Sequence, residues 1–292
     1  GAMACAYRLP LLVFPCLTGA LRFYWGRGAA VAWCGLAAGA LFAFEPTALA
    51  HGALLKNDVA AAMAYLAFWY AAWRFWKAPS LGTALLVSGC ALLGVAAKLS
   101  LVILAGIAPL LLVGRLWGLR RWLDGFVYVA ACLGAMYLGL CTLYLWDVRV
   151  LHPVEIVHRF EDPRVPWLFT WPSQIFEYIP VPRYFWEGCV SLFHSSGARP
   201  PIYFFGEVRH AGHPLYFLGA LAVKVPVALQ ALVAAGFAAG AWEWARRREA
   251  VWAFWLLPPL LYLGLASLTG HQLGVRLILP ALPFAALAAG RL

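Results

Sequence analysis

Charged side chains are scarce in this sequence. Only 12% of its 292 residues carry one, against 64% hydrophobic residues and a mean hydropathy of +0.79. Soluble globular chains run at about 25% charged and about 45–50% apolar. The scarcity therefore excludes an ordinary soluble domain, because too little polar surface remains to cover one. Metal-type cysteine spacings are also missing. Six of the seven cysteines (Cys5, Cys16, Cys34, Cys90, Cys132, Cys141) lie in apolar stretches and only Cys189 lies in a polar one. That argues against a disulfide framework or a structural zinc. There is no P-loop, GxSxG elbow, HExxH or strand-borne Rossmann glycine pattern. Haem ligation through His51 or His271 would lack a partner histidine at membrane depth. The net charge of +10 is scattered between apolar runs rather than gathered in a basic, aromatic stripe, so no nucleic-acid partner is expected.

Long apolar runs are what the chain does have. A membrane helix needs about 20 apolar residues, and the pattern predicts an all-α polytopic membrane bundle of nine helices, at 9–25, 29–49, 58–76, 80–97, 99–116, 123–146, 214–242, 250–269 and 275–290. Alternate connections carry Arg27; Arg74 and Lys77; Arg115, Arg120 and Arg121; Arg246, Arg247 and Arg248; and Arg291. Short basic loops mark the cytoplasmic side. This threading puts the N-terminus and loop 147–213 outside. An N-out start with no signal peptide leads us to expect a further helix upstream of Gly1, with the opening Gly-Ala-Met as an added scar. The chain divides into helices in 1–146, an extracytoplasmic loop 147–213 and helices in 214–292. The loop holds seven acids against six arginines, eight prolines, and aromatics such as Trp167, Trp171 and Trp186, which suits an ordered segment with short helices hugging the interface.

The candidate site residues cluster at the outer level of this threading. Asp58 closes the turn His51-Gly-Ala-Leu-Leu-Lys-Asn-Asp58. It can cap the next helix, or it can orient a hydroxyl or hold a divalent metal against a lipid phosphate beside Lys56 and His51. Lys98 interrupts an apolar hairpin. A charge in hydrocarbon costs about 2.5–3.5 kcal/mol even on the lenient scale, so Lys98 must lie near an interface or be paired. Lys224 and Arg276 lie in the outward halves of their helices. Cations converging with one acid describe an anionic headgroup site, though cations also anchor helix ends. Glu207, His210 and His213 form a weaker metal candidate. Gly35/Gly39 and Gly236/Gly240 match GxxxG and predict close helix packing.

Several short motifs carry a family resemblance across most of the chain. These are Arg8-Leu-Pro10, His51-Gly with Asn57-Asp58, Arg74 to Ser80, Gly94-Val-Ala-Ala-Lys98-Leu-Ser100, Tyr203-Phe-Phe-Gly206, Gly212-His-Pro-Leu-Tyr216, Lys224-Val-Pro226, and Gly274-Val-Arg276 through Pro280 and Pro283. The chain resembles the polyprenyl-phosphate-dependent GT-C glycosyltransferases, a superfamily that includes protein mannosyltransferases and aminoarabinose transferases. The resemblance implies a GT-C-like bundle in a bacterial inner membrane. It also implies inverting transfer of a sugar from a polyprenyl-phosphate carrier to an acceptor on the outer face. On this resemblance Asp58 matches the acid of the second outer loop, and Lys98 and Arg276 match basic positions near the carrier phosphate. The family's chief catalytic acid lies in a first outer loop that has no counterpart here. The competing expectations are a non-catalytic subunit of a larger membrane complex and, behind it, a transporter or lipid flippase, which broken midplane helices and inverted repeats would favour.

Overall fold

The computed structural model describes residues 12–29, 32–52, 56–149, 180–197, 201–209, 212–268, 272 and 274–292. Within them the chain is overwhelmingly helical. The helices are α1 (Val13–Ala29), α2 (Ala32–Ala43), α3 (Pro46–Gly52), α4 (Asp58–Lys77), α5 (Leu81–Ala97), α6 (Ile103–Gly118), α7 (Trp122–Leu143), α8 (Arg183–Gly197), α9 (Tyr216–Lys224), α10 (Val227–Arg247), α11 (Ala250–Leu268) and α12 (Leu282–Ala289). Short 3-10 segments, Leu99–Val102 and Val275–Ala281, lead into α6 and α12. The motif Arg8-Leu-Pro10, Cys5, most of the loop's acids, the loop aromatics Trp167, Trp171 and Tyr178, His210 and His271 lie outside the described residues.

Among the described residues four segments are long and apolar enough to cross a membrane: Leu99–Gly118, Trp122–Leu143, Val227–Arg247 and Ala250–Leu268. The bent pair Ala32–Ala43 and Pro46–Gly52 makes a fifth if it forms one span. Their outward faces carry exposed Leu110, Phe126, Leu138, Leu232 and Leu260, as expected where lipid rather than water is the solvent. α4 is the opposite case. Its Trp, Tyr and charged residues lower its hydropathy, yet nearly all of it is buried. A helix enclosed on all sides is a core helix, and the other helices pack around it.

Three expected helices are broken, each at a proline. The segment 29–49 bends by 66° ahead of Pro46. The segment 214–242 splits between α9 and α10, where Val225 is extended (φ −94°, ψ 136°) before Pro226, and the second part continues to Arg247. The segment 275–290 opens as a 3-10 turn containing Pro280. Proline has no N–H to donate and disfavours the helical region in the preceding residue, which suits the breaks at Pro46 and Pro226, whereas α6 and α11 continue through Pro109 and Pro258–Pro259. The long loop is not purely helical either. Val148–Arg149 (β1) pairs with Val181–Pro182 (β2), and Ile202–Phe204 (β3) forms a hairpin with Glu207–Arg209 (β4).

Side-chain contacts fix the helix directions. Phe14 packs with Val59 and Ala62, and Trp25 lies 5.9 Å from Trp73, so α1 runs parallel to α4. Ser88 donates to the Cys132 carbonyl (2.8 Å), and Arg115 sits over the Trp76 ring (5.0 Å). Trp76 also meets Phe254, and Trp255 meets Trp25. Successive long segments therefore alternate between two ends of the bundle. Arg27, Arg74, Lys77, Arg115, Arg246 and Arg291 gather at one end, and Asp58 and Lys98 lie at the other. Close packing sustains the arrangement. A Cβ at Gly236 would come 2.6 Å from the Ala288 backbone, and one at Gly35 2.5 Å from the Phe23 carbonyl oxygen. A Cβ at Gly39 would meet nothing within 4 Å, so one of the four GxxxG glycines is not a contact point.

Candidate functional site

The N-terminus of α4 and the C-terminus of α5 meet at the end of the bundle opposite the arginines. Asp58 is the first residue of α4. Its neighbour Asn57 is the N-cap and makes no side-chain capping bond, donating instead to the Ala97 carbonyl at 2.9 Å. Asp58 does not serve as the cap either. Lys98 leaves the helix in an extended conformation (φ −158°) and its Nζ donates to Asp58 Oδ1 at 2.8 Å. The Asp58 side chain is 6% exposed and that of Lys98 17%. The pairing suits the local field, with an acid at a helix N-terminus and a cation at a helix C-terminus. Of the two ways Lys98 could be tolerated, the structure shows the pair.

A second group of charges lies beside this pair. His51 ends α3, Lys224 ends α9, and Arg276 sits in the 3-10 turn before α12. With Thr47 and Gly274 they line an open cleft of about 370 Å³. No acid lines the cleft among the described residues. Gly274 has φ +87°, a conformation that glycine takes freely, and a Cβ there would lie 3.7 Å from Lys224 Nζ. The Arg276 Nε and His51 Nδ1 are buried and have no hydrogen-bond partner among the described residues. His51 links the two groups, since Asp58, Lys56, Arg276 and Glu45 all act on its charge. Lys56 is exposed to solvent.

The proline breaks place two of these side chains. Pro226 ends α9 so that Lys224 is its last residue, and Pro46 restarts the chain as α3 with His51 in its final turn. Gln272 is a residue that the sequence reading missed. It is 2% exposed, its Oε1 accepts from His213 N (2.8 Å) and its Nε2 donates to the His213 carbonyl (2.9 Å). This clamp holds the segment ahead of α9 against the segment ahead of Arg276. A glutamine in an apolar stretch was its only signal. Buried Glu45 was missed as well, because it lies inside the run read as one helix over 29–49.

The described part of the segment 147–213 rests on the same end of the bundle. Tyr137 donates to the Pro180 carbonyl at 2.7 Å, and a Cβ at Gly188 of α8 would come 2.9 Å from the Leu99 side chain, next to Lys98. The weaker metal candidate is not brought together in the part described. Glu207 is paired with Arg209, and the His213 ring stacks on Phe204 (4.5 Å) while its Nδ1 accepts from Leu215 N. Among the described residues no three His, Cys, Asp or Glu side chains form a metal-holding group. Asp58 is engaged by Lys98 and the cleft is cationic, so the residues present do not fit a divalent metal there. In chemical terms the cleft can receive an anion. Comparison with known proteins adds no relative: no family model matches the chain, and neither does any curated protein.

Proposed function

We propose that this chain is the core of a membrane glycosyltransferase that moves a sugar from a polyprenyl-phosphate carrier to an acceptor at the outer face of a bacterial inner membrane. The observation that carries this reading is the cleft. Arg276 and His51 have buried nitrogens without partners among the described residues, Lys224 stands with them, and the GT-C-like motifs Lys224-Val-Pro226 and Gly274-Val-Arg276 flank it. In this reading all nine segments cross the bilayer, the arginine-rich end faces the cytoplasm, and the outer segment covers the site. The acceptor oxygen attacks the sugar's anomeric carbon, the bond from that carbon to the phosphate oxygen breaks, and the carrier phosphate leaves with the electron pair. Arg276, through a planar fork, and Lys224, as a point charge, neutralise the charge that develops there. Asp58 is the base in reach of an acceptor proton once Lys98 turns from it toward the phosphate. Lys56 and His51 complete the anion-binding subsite.

The closed Asp58–Lys98 pair favours a second reading, a non-catalytic subunit of a larger membrane complex that retains the scaffold. One experiment separates the two. Purified protein in vesicles is given farnesyl-phosphate mannose, and release and binding of farnesyl phosphate are measured. Turnover that falls about 100-fold or more in Asp58→Asn, within the usual range for loss of a general base, supports the transferase. Binding without turnover supports the scaffold. Neither binding nor turnover overturns both.

A further inference from the structure

Glu45 belongs to neither charge group of the site. It sits at the bend between α2 and α3 and is 4% exposed. Its Oε2 accepts from Ala48 N and so caps α3. Its Oε1 is buried and has no partner among the described residues. Glu45 lines a pocket of about 290 Å³ walled by Phe42, Leu221, Val233, Phe237, Leu260 and Ile278, from α2, α9, α10, the flank of α11 and the turn before α12. The other polar residue on its wall is Gln230. That amide is committed, because its Nε2 donates to the Ala222 and Val225 carbonyls freed by the break at Pro226. The pocket is therefore an apolar slot with one buried carboxyl oxygen left to satisfy.

We infer that this pocket binds a single-chain, uncharged lipid alcohol, with its hydroxyl on Glu45 and its chain along the slot. Three physical points select that chemistry. A hydroxyl both donates and accepts, so it pairs with Glu45 whether the carboxyl is ionised or protonated. A phosphate or carboxylate head would be repelled by the acid, and an ammonium head carries donors only, so it has no acceptor for the O–H of a protonated Glu45. The volume lies near the low end for small-ligand pockets, about 300 Å³, which suits one chain rather than two. Access comes from the membrane, since α10 and α11 are among the segments able to cross it and Leu260 is half exposed. The cationic cleft beyond the Pro46 bend has the opposite preference.

The test uses the protein in dioleoylphosphatidylcholine vesicles with a diazirine-bearing hexadecanol, read by peptide mass spectrometry. Label should map to the stretches 41–45, 229–237 or 278–286. Hexadecanol should compete about tenfold better than hexadecane, palmitate or dioleoylglycerol. Ala234→Phe fills the slot from the outer helix without touching Glu45 and should abolish labelling. Glu45→Gln keeps a capping oxygen and a hydrogen-bonding head and should retain labelling, and Glu45→Leu should lower it to the level competed equally by hexadecane. Equal competition by hexadecane or by dioleoylglycerol, or unchanged labelling in Ala234→Phe, would overturn the assignment. No carrier phosphate or sugar is present, so the outcome is independent of the transferase reading.

Discussion

The two ends of α4 hold their cations in different ways. At the Lys77 end four cations have an aromatic face beneath them: Lys77 over Trp73 (4.9 Å), Arg115 over Trp76 (5.0 Å), Arg246 over Trp242 (4.3 Å) and Arg291 over Trp252 (4.6 Å). Arg291 also reaches Glu243 at 2.8 Å. This is how a basic end is anchored in a membrane interface, with ring and guanidinium or ammonium sharing the headgroup level. About 30 Å away, the length of a 20-residue helix, Lys98 meets an acid, and Arg276 and His51 have buried nitrogens that meet nothing described. Arg115 Nε and Arg291 Nη1 are also buried without a hydrogen-bond partner among the described residues, so the ends differ in the ring faces that four cations of the arginine-rich end rest on. Among the described residues no such ring lies under Arg276 or Lys224, and there an anion is to be sought.

The comparison can be broken most forcefully at the ion pair. Lys98→Met strips a buried aspartate of its partner, and such a loss costs about 3–5 kcal/mol. Asp58→Asn in the same chain should restore part of it. Denaturant titration in detergent of the single and double variants measures this, and additive losses would mean that the pair is not coupled. A second effect concerns the outer segment. Burial pushes the Cys189 thiol up to about 11, and the residue is 6% exposed. Maleimide should therefore react with it about two orders of magnitude slower than with a free thiol of pKa about 8.5. The rate should rise about tenfold per pH unit up to the thiol's pKa, because only the thiolate attacks. Fast labelling at neutral pH would mean that α8 does not pack on the bundle. Tyr184→Cys, at an exposed position, is the better reporter of which side the loop faces, and the threading predicts that it reacts with an external probe.

Smaller effects sharpen the packing. Gly236→Ala forces a methyl group against the Ala288 backbone and should cost about 1–3 kcal/mol, the usual range for overpacking. Gly39→Ala should leave stability unchanged, because its Cβ meets nothing. Equal losses would refute the distinction between these glycines. Smallest of all, Lys77→Gln removes one ammonium from over an indole and should cost about 0.5–1 kcal/mol.

How far the sequence disclosed this arrangement depends on the residue. Hydrophobic runs marked where the chain is helical, although among the described residues four or five segments, rather than nine, are long and apolar enough to cross a membrane; basic clusters sorted the helix ends, because both are local properties of composition. The level of Asp58 and Lys98 was legible from the hairpin between them, but their bond was not. The two are 40 residues apart, and whether they touch depends on the rotation of α4 against α5, which packing decides. Pro46 and Pro226 were visible as helix breakers, yet the apolar pattern continues across both and reads as one helix. Gln272 and Glu45 bond mainly to backbone, and a residue that serves the backbone leaves no partner to find in the sequence.

The central claim is that the end carrying Lys224 and Arg276, and not the arginine-rich end, receives a lipid phosphate. Farnesyl phosphate binding, followed by its phosphorus NMR signal in detergent, tests it directly across wild type, Lys224→Ala, Arg276→Ala and the opposite-end variant Arg246→Ala. Loss of a charged hydrogen-bonding partner corresponds to about 1.5–3 kcal/mol, so affinity should fall roughly tenfold or more in each of the first two variants and stay unchanged in Arg246→Ala. Equal affinity in all four proteins, or a loss confined to Arg246→Ala, would contradict the account.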